Sequence, residues 1–303
     1  MTWGDGSQAQ TRASLSQAVH PMVLNCLRIC LAALGLAVTA VVPSPAAEPH
    51  IPSFWDGKER LPKPDLASLG RLRFLTTTDF PPFNYIDAQG RLTGFHVDLA
   101  RAICMRLEIM AKCQIQALPW GELSAALEKE EGEAILAGIA ITPETRGRHS
   151  FSRPYLQFPA RFVMAKTAAT TEPMDEKLRG EKVGVIAGSA HERYLRDHFP
   201  GVEVVAQAGE PEMFRALKAG NVAAIFGDGM RLGFWLTGSD ADGCCRYAGG
   251  PYLAPRYFGV GLAVAVARDD TDLTAAIDYA LQTLSRDGGF AELYLRYFPL
   301  SFY

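Results

Sequence analysis

Charge of one sign, paired histidines and long apolar runs are all scarce in this chain. Its 30 Lys and Arg against 33 Asp and Glu leave a formal net charge of −3 over 303 residues, and no basic run stands out. The electrostatic footprint of a nucleic-acid binder is therefore missing. The six histidines include no His-x-x-x-His pair, and no Gly-x-Ser-x-Gly elbow occurs, so neither a zinc-peptidase helix nor a hydrolase nucleophile is encoded. The most apolar stretch, residues 29–42, is shorter than the roughly 20 residues that span a bilayer. No repeat of solenoid period is found. What is present is a chain 48% hydrophobic, long enough to bury a full core and to divide into two lobes.

The N-terminus predicts export. Arg28 precedes the apolar stretch, and Ser44-Pro45-Ala46-Ala47 supplies a small-residue exit, so residues 1–47 are expected to be a cleaved secretory signal. A retained anchor is the alternative, and Met22 is a second candidate start. Cys26 and Cys30 sit on the wrong side of a cleavage site for lipid attachment. Outside the cytoplasm the remaining cysteines tend to pair. Cys104, near the end of a predicted helix, and Cys113, opening the next strand, form either a bridge or two buried thiols. Adjacent Cys244 and Cys245 form either a vicinal bridge or thiols, and the sequence does not choose.

Residues 48–70 carry Pro49, Pro52, Pro62 and Pro64 and are expected to form an irregular arm on the first lobe. From Leu72 onward strands and helices alternate, predicting an α/β fold with largely parallel sheets. Strands are expected at 72–76, 134–137, 182–186, 222–226 and 259–267. Val97, Ala100, Cys104 and Leu107 recur at helical spacing, as do Leu273, Ala276, Ile277, Ala280, Leu281 and Leu284.

Between residues 72 and 155 a short strand runs into Thr77-Thr78-Asp79-Phe80-Pro81-Pro82-Phe83. Gly94-Phe95-His96-Val97-Asp98, Trp120, Ala137-Gly138-Ile139-Ala140-Ile141-Thr142 and Phe151-Ser152-Arg153-Pro154-Tyr155 then follow in order. This arrangement resembles the family-3 branch of type II periplasmic solute-binding proteins, which serve polar amino-acid ABC importers. The resemblance implies a two-lobed fold with a cleft between the lobes, lobe 1 being residues 71–162 plus 258–303 and lobe 2 residues 163–257. Crossings are expected near 161–164 and 256–259. It further implies a monomer that captures a small-molecule solute for an ABC permease in the inner membrane, without cofactor or metal. It also favours the Cys104–Cys113 disulfide.

Carried over residue by residue, the resemblance implies Phe80 as the ring stacked on the ligand, held by stiff prolines, with Thr77 beside it and Trp120 as a second aromatic wall. Gly138 and Ala140 would offer backbone groups, Ser189 a helix N-terminus suited to an anion, and Asp228 the partner of an ammonium. One position departs. Six residues before Phe151, where the family places a carboxylate-binding arginine, stands Thr145, and Arg146 comes one place late. Arg146 is kept as a candidate contact if its loop rearranges. The rival functions are an accessory or sensory periplasmic module, for example one serving a quinoprotein dehydrogenase, and a dehydratase-like enzyme on the same scaffold.

Overall fold

The computed structural model describes residues 51, 53–169, 173–298 and 300–303, so the expected signal segment lies outside the described residues. In chain order, β1 (Leu72–Thr76) leads into a hairpin sheet of β2 (Asp79–Phe80), β3 (Asn84–Ile86) and β4 (Leu92–Thr93), then helix α1 (Phe95–Arg106). β5 (Cys113–Ala117), α2 (Leu123–Glu128), β6 (Ala134–Ile135), α3 (Pro143–Arg148) and β7 (His149–Phe151) follow. Next come β8 (Ala160–Ala165), α4 (Met174–Lys177), β9 (Lys182–Ile186), α5 (Ala190–His198), β10 (Glu203–Gln207), α6 (Glu210–Lys218), β11 (Ala224–Asp228), α7 (Gly229–Thr237) and β12 (Cys245–Tyr252). α8 (Pro255–Phe258), β13 (Ala265–Ala267), α9 (Thr271–Arg286) and α10 (Gly289–Tyr297) close the chain.

Two five-stranded sheets result, ordered β5-β1-β6-β13-β7 and β10-β9-β11-β8-β12. In each, three neighbouring strands run parallel and a fourth, β13 or β8, is antiparallel to the neighbours on both its sides. The period-two alternation of strands sorts side chains onto two faces. Leu72 and Phe74 enter the core under α1, α9 and α10, while Leu75 packs with α2. In the second sheet Phe162, Met164 and Phe226 join one core, and Val163 and Ile225 join the other with α6 and α7.

β8 pairs with β11 from Ala160↔Asp228 onward. Leu262 bridges both Leu156 and Ala140, bringing the outgoing and returning segments side by side. The strand expected over 259–267 is confined to Ala265–Ala267. Gly259 and Gly261 take φ of +79° and +105°, outside the extended region, and break it.

The arm, where described, has no helix or strand. Trp55, Leu66 and Leu69 pack against the core of lobe 1, and Glu59 takes a two-pronged hydrogen bond from Arg153 at 2.5 and 2.7 Å. Cys104 and Cys113 are bonded, tying α1 to the start of β5. Cys244 and Cys245 are bonded as well, which settles the alternative left open by the sequence.

Candidate functional site

The C-terminal ends of parallel strands collect ligand groups in α/β folds, because helix starts and loops converge there. In lobe 1 the ends of adjacent β5, β1 and β6 carry Trp120, Phe80 and Gly138. Phe80 is 37% exposed and Trp120 55% exposed, large values for such side chains. Phe80 lies flat on Phe83, ring centroids 4.7 Å apart at 22°. Gly138 has φ +85°, and a Cβ there would sit 3.1 Å from the Phe80 ring, so the bare backbone approaches the aromatic face. Ala140 is exposed at the same edge.

Beneath these rings runs a buried polar chain. Asn84 Nδ2 donates to Thr77 Oγ1 at 2.7 Å, which leaves Asn84 Oδ1 to accept from His96 Nδ1 at 2.7 Å. His96 Nε2 then accepts from the Tyr155 hydroxyl at 2.8 Å. Each polar atom is satisfied with one neutral tautomer of His96, and burial pushes its pKa down to about 3. Thr77 is therefore placed below the site surface, its hydroxyl engaged with Asn84.

Thr145 and Arg146 diverge sharply. Thr145 Oγ1 donates to Ala140 O at 2.8 Å and accepts from Thr142 N at 2.9 Å, while Thr142 Oγ1 accepts from Thr145 N at 3.1 Å. This reciprocal pair caps the N-terminus of α3. Successive helical residues point about 100° apart, so Arg146 is turned from the strand end that Thr145 faces. Arg146 is exposed, its amide donating to Thr142 O at 2.9 Å and its guanidinium in no hydrogen bond or ion pair among the described residues.

In lobe 2 the edge of β10-β9-β11 encloses a cavity of about 500 Å³. Its walls include Ser189, His191, Glu210, Phe226, Asp228 and Arg231. Ser189 caps α5, its oxygen accepting from Glu192 N at 3.1 Å and its hydroxyl donating to Ile186 O at 2.7 Å. Asp228 ends β11 and caps α7, with Oδ1 accepting from Arg231 N at 2.9 Å. Burial raises its carboxyl above the usual range, partly offset by that amide and the Arg231 charge. The Arg231 guanidinium forks onto Glu210, with Nη2 3.1 Å from Oε2. His191 stacks on Phe258 at 4.8 Å, and burial lowers its pKa to about 4, so it is uncharged near neutrality.

Of the sequence candidates, Ser189 and Asp228 share this cavity, and Phe80, Trp120, Gly138 and Ala140 share the lobe-1 edge. Glu210, His191 and Arg231 were not singled out as binding residues. His191 had a local signal, two residues past Ser189 at a helix start. The Glu210–Arg231 pair joins two different helices and had none.

The profile of bacterial extracellular solute-binding proteins, family 3, matches residues 72–300. The chain belongs to that family. It is a two-lobed solute-binding protein. An L-arginine-binding protein of Pseudomonas aeruginosa is 31% identical over 226 residues, covering 74% of this chain and 86% of the relative. Among solved structures, the L-cystine solute receptor of Neisseria gonorrhoeae aligns with a TM-score of 0.65 at 20% identity, covering 77% of this chain and 94% of that one. An ancestral cyclohexadienyl dehydratase aligns with a TM-score of 0.64 at 20% identity, covering 78% and 95%. At such identity the structural likeness speaks for the fold alone.

Proposed function

We propose that this protein acts in the periplasm as the receptor of an ABC importer, closing its lobes on a small polar solute that bears a cationic group and passing it to an inner-membrane permease. The observation that carries this is Asp228, a half-buried carboxylate at the wall of a 500 Å³ cavity whose one cationic wall residue, Arg231, is engaged by Glu210. Phe80 and Trp120 supply aromatic faces suited to a cation, and Gly138 and Ala140 a close backbone edge. Ser189 shapes the start of α5, and Thr77 anchors the buried Asn84–His96–Tyr155 chain. The predicted signal over residues 1–47 supports export, and the similarity to an L-arginine-binding protein supports an amine-bearing ligand. One chain provides both lobes, so a monomer suffices.

Binding without chemistry is the better supported alternative to catalysis. Glu210 is tied to Arg231 and Asp228 accepts from the Arg231 amide, so both carboxylates of the cavity wall sit in fixed hydrogen bonds suited to holding a ligand. Calorimetry against amino acids and amines tests the proposal. Asp228→Asn is expected to weaken the best ligand by roughly ten- to a hundredfold, the effect of a charge-assisted hydrogen bond worth about 1.5–3 kcal/mol. Unchanged affinity in that variant would refute the assignment.

A further inference from the structure

We propose that Glu210 selects the solute, by giving up Arg231 to the distal cationic group of a solute that carries two cations and one carboxylate. The inference rests on the receptor function proposed above and names the residue that sets its preference.

The adjacent strands β10, β9 and β11 deliver Glu210, Ser189 and Asp228 to one edge of the second sheet, so two carboxylates flank the start of α5. These residues line the cavity of about 500 Å³ together with Arg231. Burial raises the Asp228 carboxyl and the Glu210 charge adds to it, as expected of two acids that share one wall. With His191 uncharged, the wall holds two negative groups and one positive one. A solute with two cations and one carboxylate is its electrostatic complement. The rest of the wall is largely apolar, with Ile186, Pro211, Met213, Phe226 and Leu232, and suits the methylene chain between such groups.

Arg231 already shows what Glu210 recognises. Its guanidinium meets the carboxylate in a two-pronged fork, Nε to Oε1 and Nη2 to Oε2, the geometry in which a solute guanidinium would bind. The Arg231 side chain is 63% exposed, and ion pairs so open to water contribute little to stability. Exchange therefore costs little, because one cation replaces another on Glu210. Arg231, once released, stays in the wall next to Asp228, where the carboxylate of the same solute can meet it. A solute with a neutral end offers Glu210 nothing in place of Arg231 and leaves the resident pair intact.

Calorimetric titration of the purified protein with two matched pairs tests this: arginine against citrulline, which keeps the shape and loses the charge, and lysine against norleucine. The basic member of at least one pair is expected to bind about tenfold or more tightly than its neutral partner, and Glu210→Gln to bring that ratio within about threefold of unity. A ratio near one in the wild type, or a ratio that survives in Glu210→Gln, overturns the inference and leaves the receptor function standing. Asp79, exposed beside Phe80, is the competing acid. Selectivity lost in Asp79→Asn and kept in Glu210→Gln assigns the distal cation to lobe 1 and overturns the inference too. Failure of both pairs while another amino acid or amine binds has the same consequence. Failure of every amino acid and amine brings down the receptor function with it.

Discussion

Acidification should destabilise this fold well above the pH at which carboxylates titrate. His96 is buried, and its two ring nitrogens are matched to Asn84 and Tyr155 in one neutral tautomer. Its pKa falls from 6.5 to about 3, and that of His191 to about 4, in both cases through burial. Below pH 6.5 the unfolded chain binds a proton at each histidine that the folded chain refuses, so stability falls as pH falls. Each unit of pH inside that window costs about 1.4 kcal/mol per histidine. Between pH 7 and pH 5 each loses about 2 kcal/mol, together about 4 kcal/mol. That is a large share of the 5–15 kcal/mol typical of a domain. His149, lowered by burial and by the neighbouring Arg148 charge, acts in the same direction. Asp228 and Asp278, raised by burial, oppose it by taking up protons more readily when folded. Urea unfolding at pH 7, 6 and 5 measures the slope, and His191→Gln should remove close to half of the loss. Wild-type stability at pH 5 within about 1 kcal/mol of its pH 7 value would refute the linkage.

Two further substitutions probe the frame around the site. Gly94 opens α1 with φ +127°, and a Cβ there would lie 2.3 Å from Phe83 O, so Gly94→Ala should cost roughly 3 kcal/mol or more in urea unfolding; a loss under about 1 kcal/mol would contradict the close approach. The Cys104–Cys113 bridge closes a separation of nine residues, so the Cys104→Ser/Cys113→Ser variant should lose about 3 kcal/mol by the same measurement, and equal stability would refute the chain-entropy argument.

The strands, the helix stripes and the order of motifs were legible because they are local. Val97, Ala100 and Cys104 are buried along α1 as the helical spacing requires, and Cys113 opens β5. Shorter-range misjudgements came from backbone geometry, as when Gly259 and Gly261 cut the returning strand. The placement of Phe80 just after β1 and of Asp228 at the end of β11 was legible because each follows from a local strand-end motif. The site was illegible where partners come from distant segments. Glu210 and Arg231 lie 21 residues apart on separate helices. Thr77, Asn84, His96 and Tyr155 assemble one buried chain whose members lie in four different local contexts, and no spacing rule gathers them. Thr77, just past the end of β1, is buried, with its hydroxyl bonded to Asn84.

Thr145 holds a well-formed turn at the start of α3. A helix of six residues such as α3 is too short to sustain itself by propagation alone. Its first turn is held by the reciprocal Thr142–Thr145 bonds, with Thr145 Oγ1 also reaching back to Ala140 O at the end of the β6 segment. An arginine at this position could not make the short reciprocal contact, and a threonine could not reach a solute. Thr145→Val keeps the shape and removes the hydroxyl, so it leaves Thr142 N without its side-chain acceptor and frees α3 from Ala140. The expected cost is about 1 kcal/mol, the usual worth of a cap, appearing as faster amide exchange at Thr142–Arg146 in α3. Solute affinity should stay within about twofold of wild type, because Asp228 and the aromatic faces are untouched. Slow, wild-type exchange across α3 would show that the hydroxyl does not hold the turn. A tenfold loss of affinity would show that it touches the solute, and only their joint absence and presence in the expected pattern assigns Thr145 to the loop.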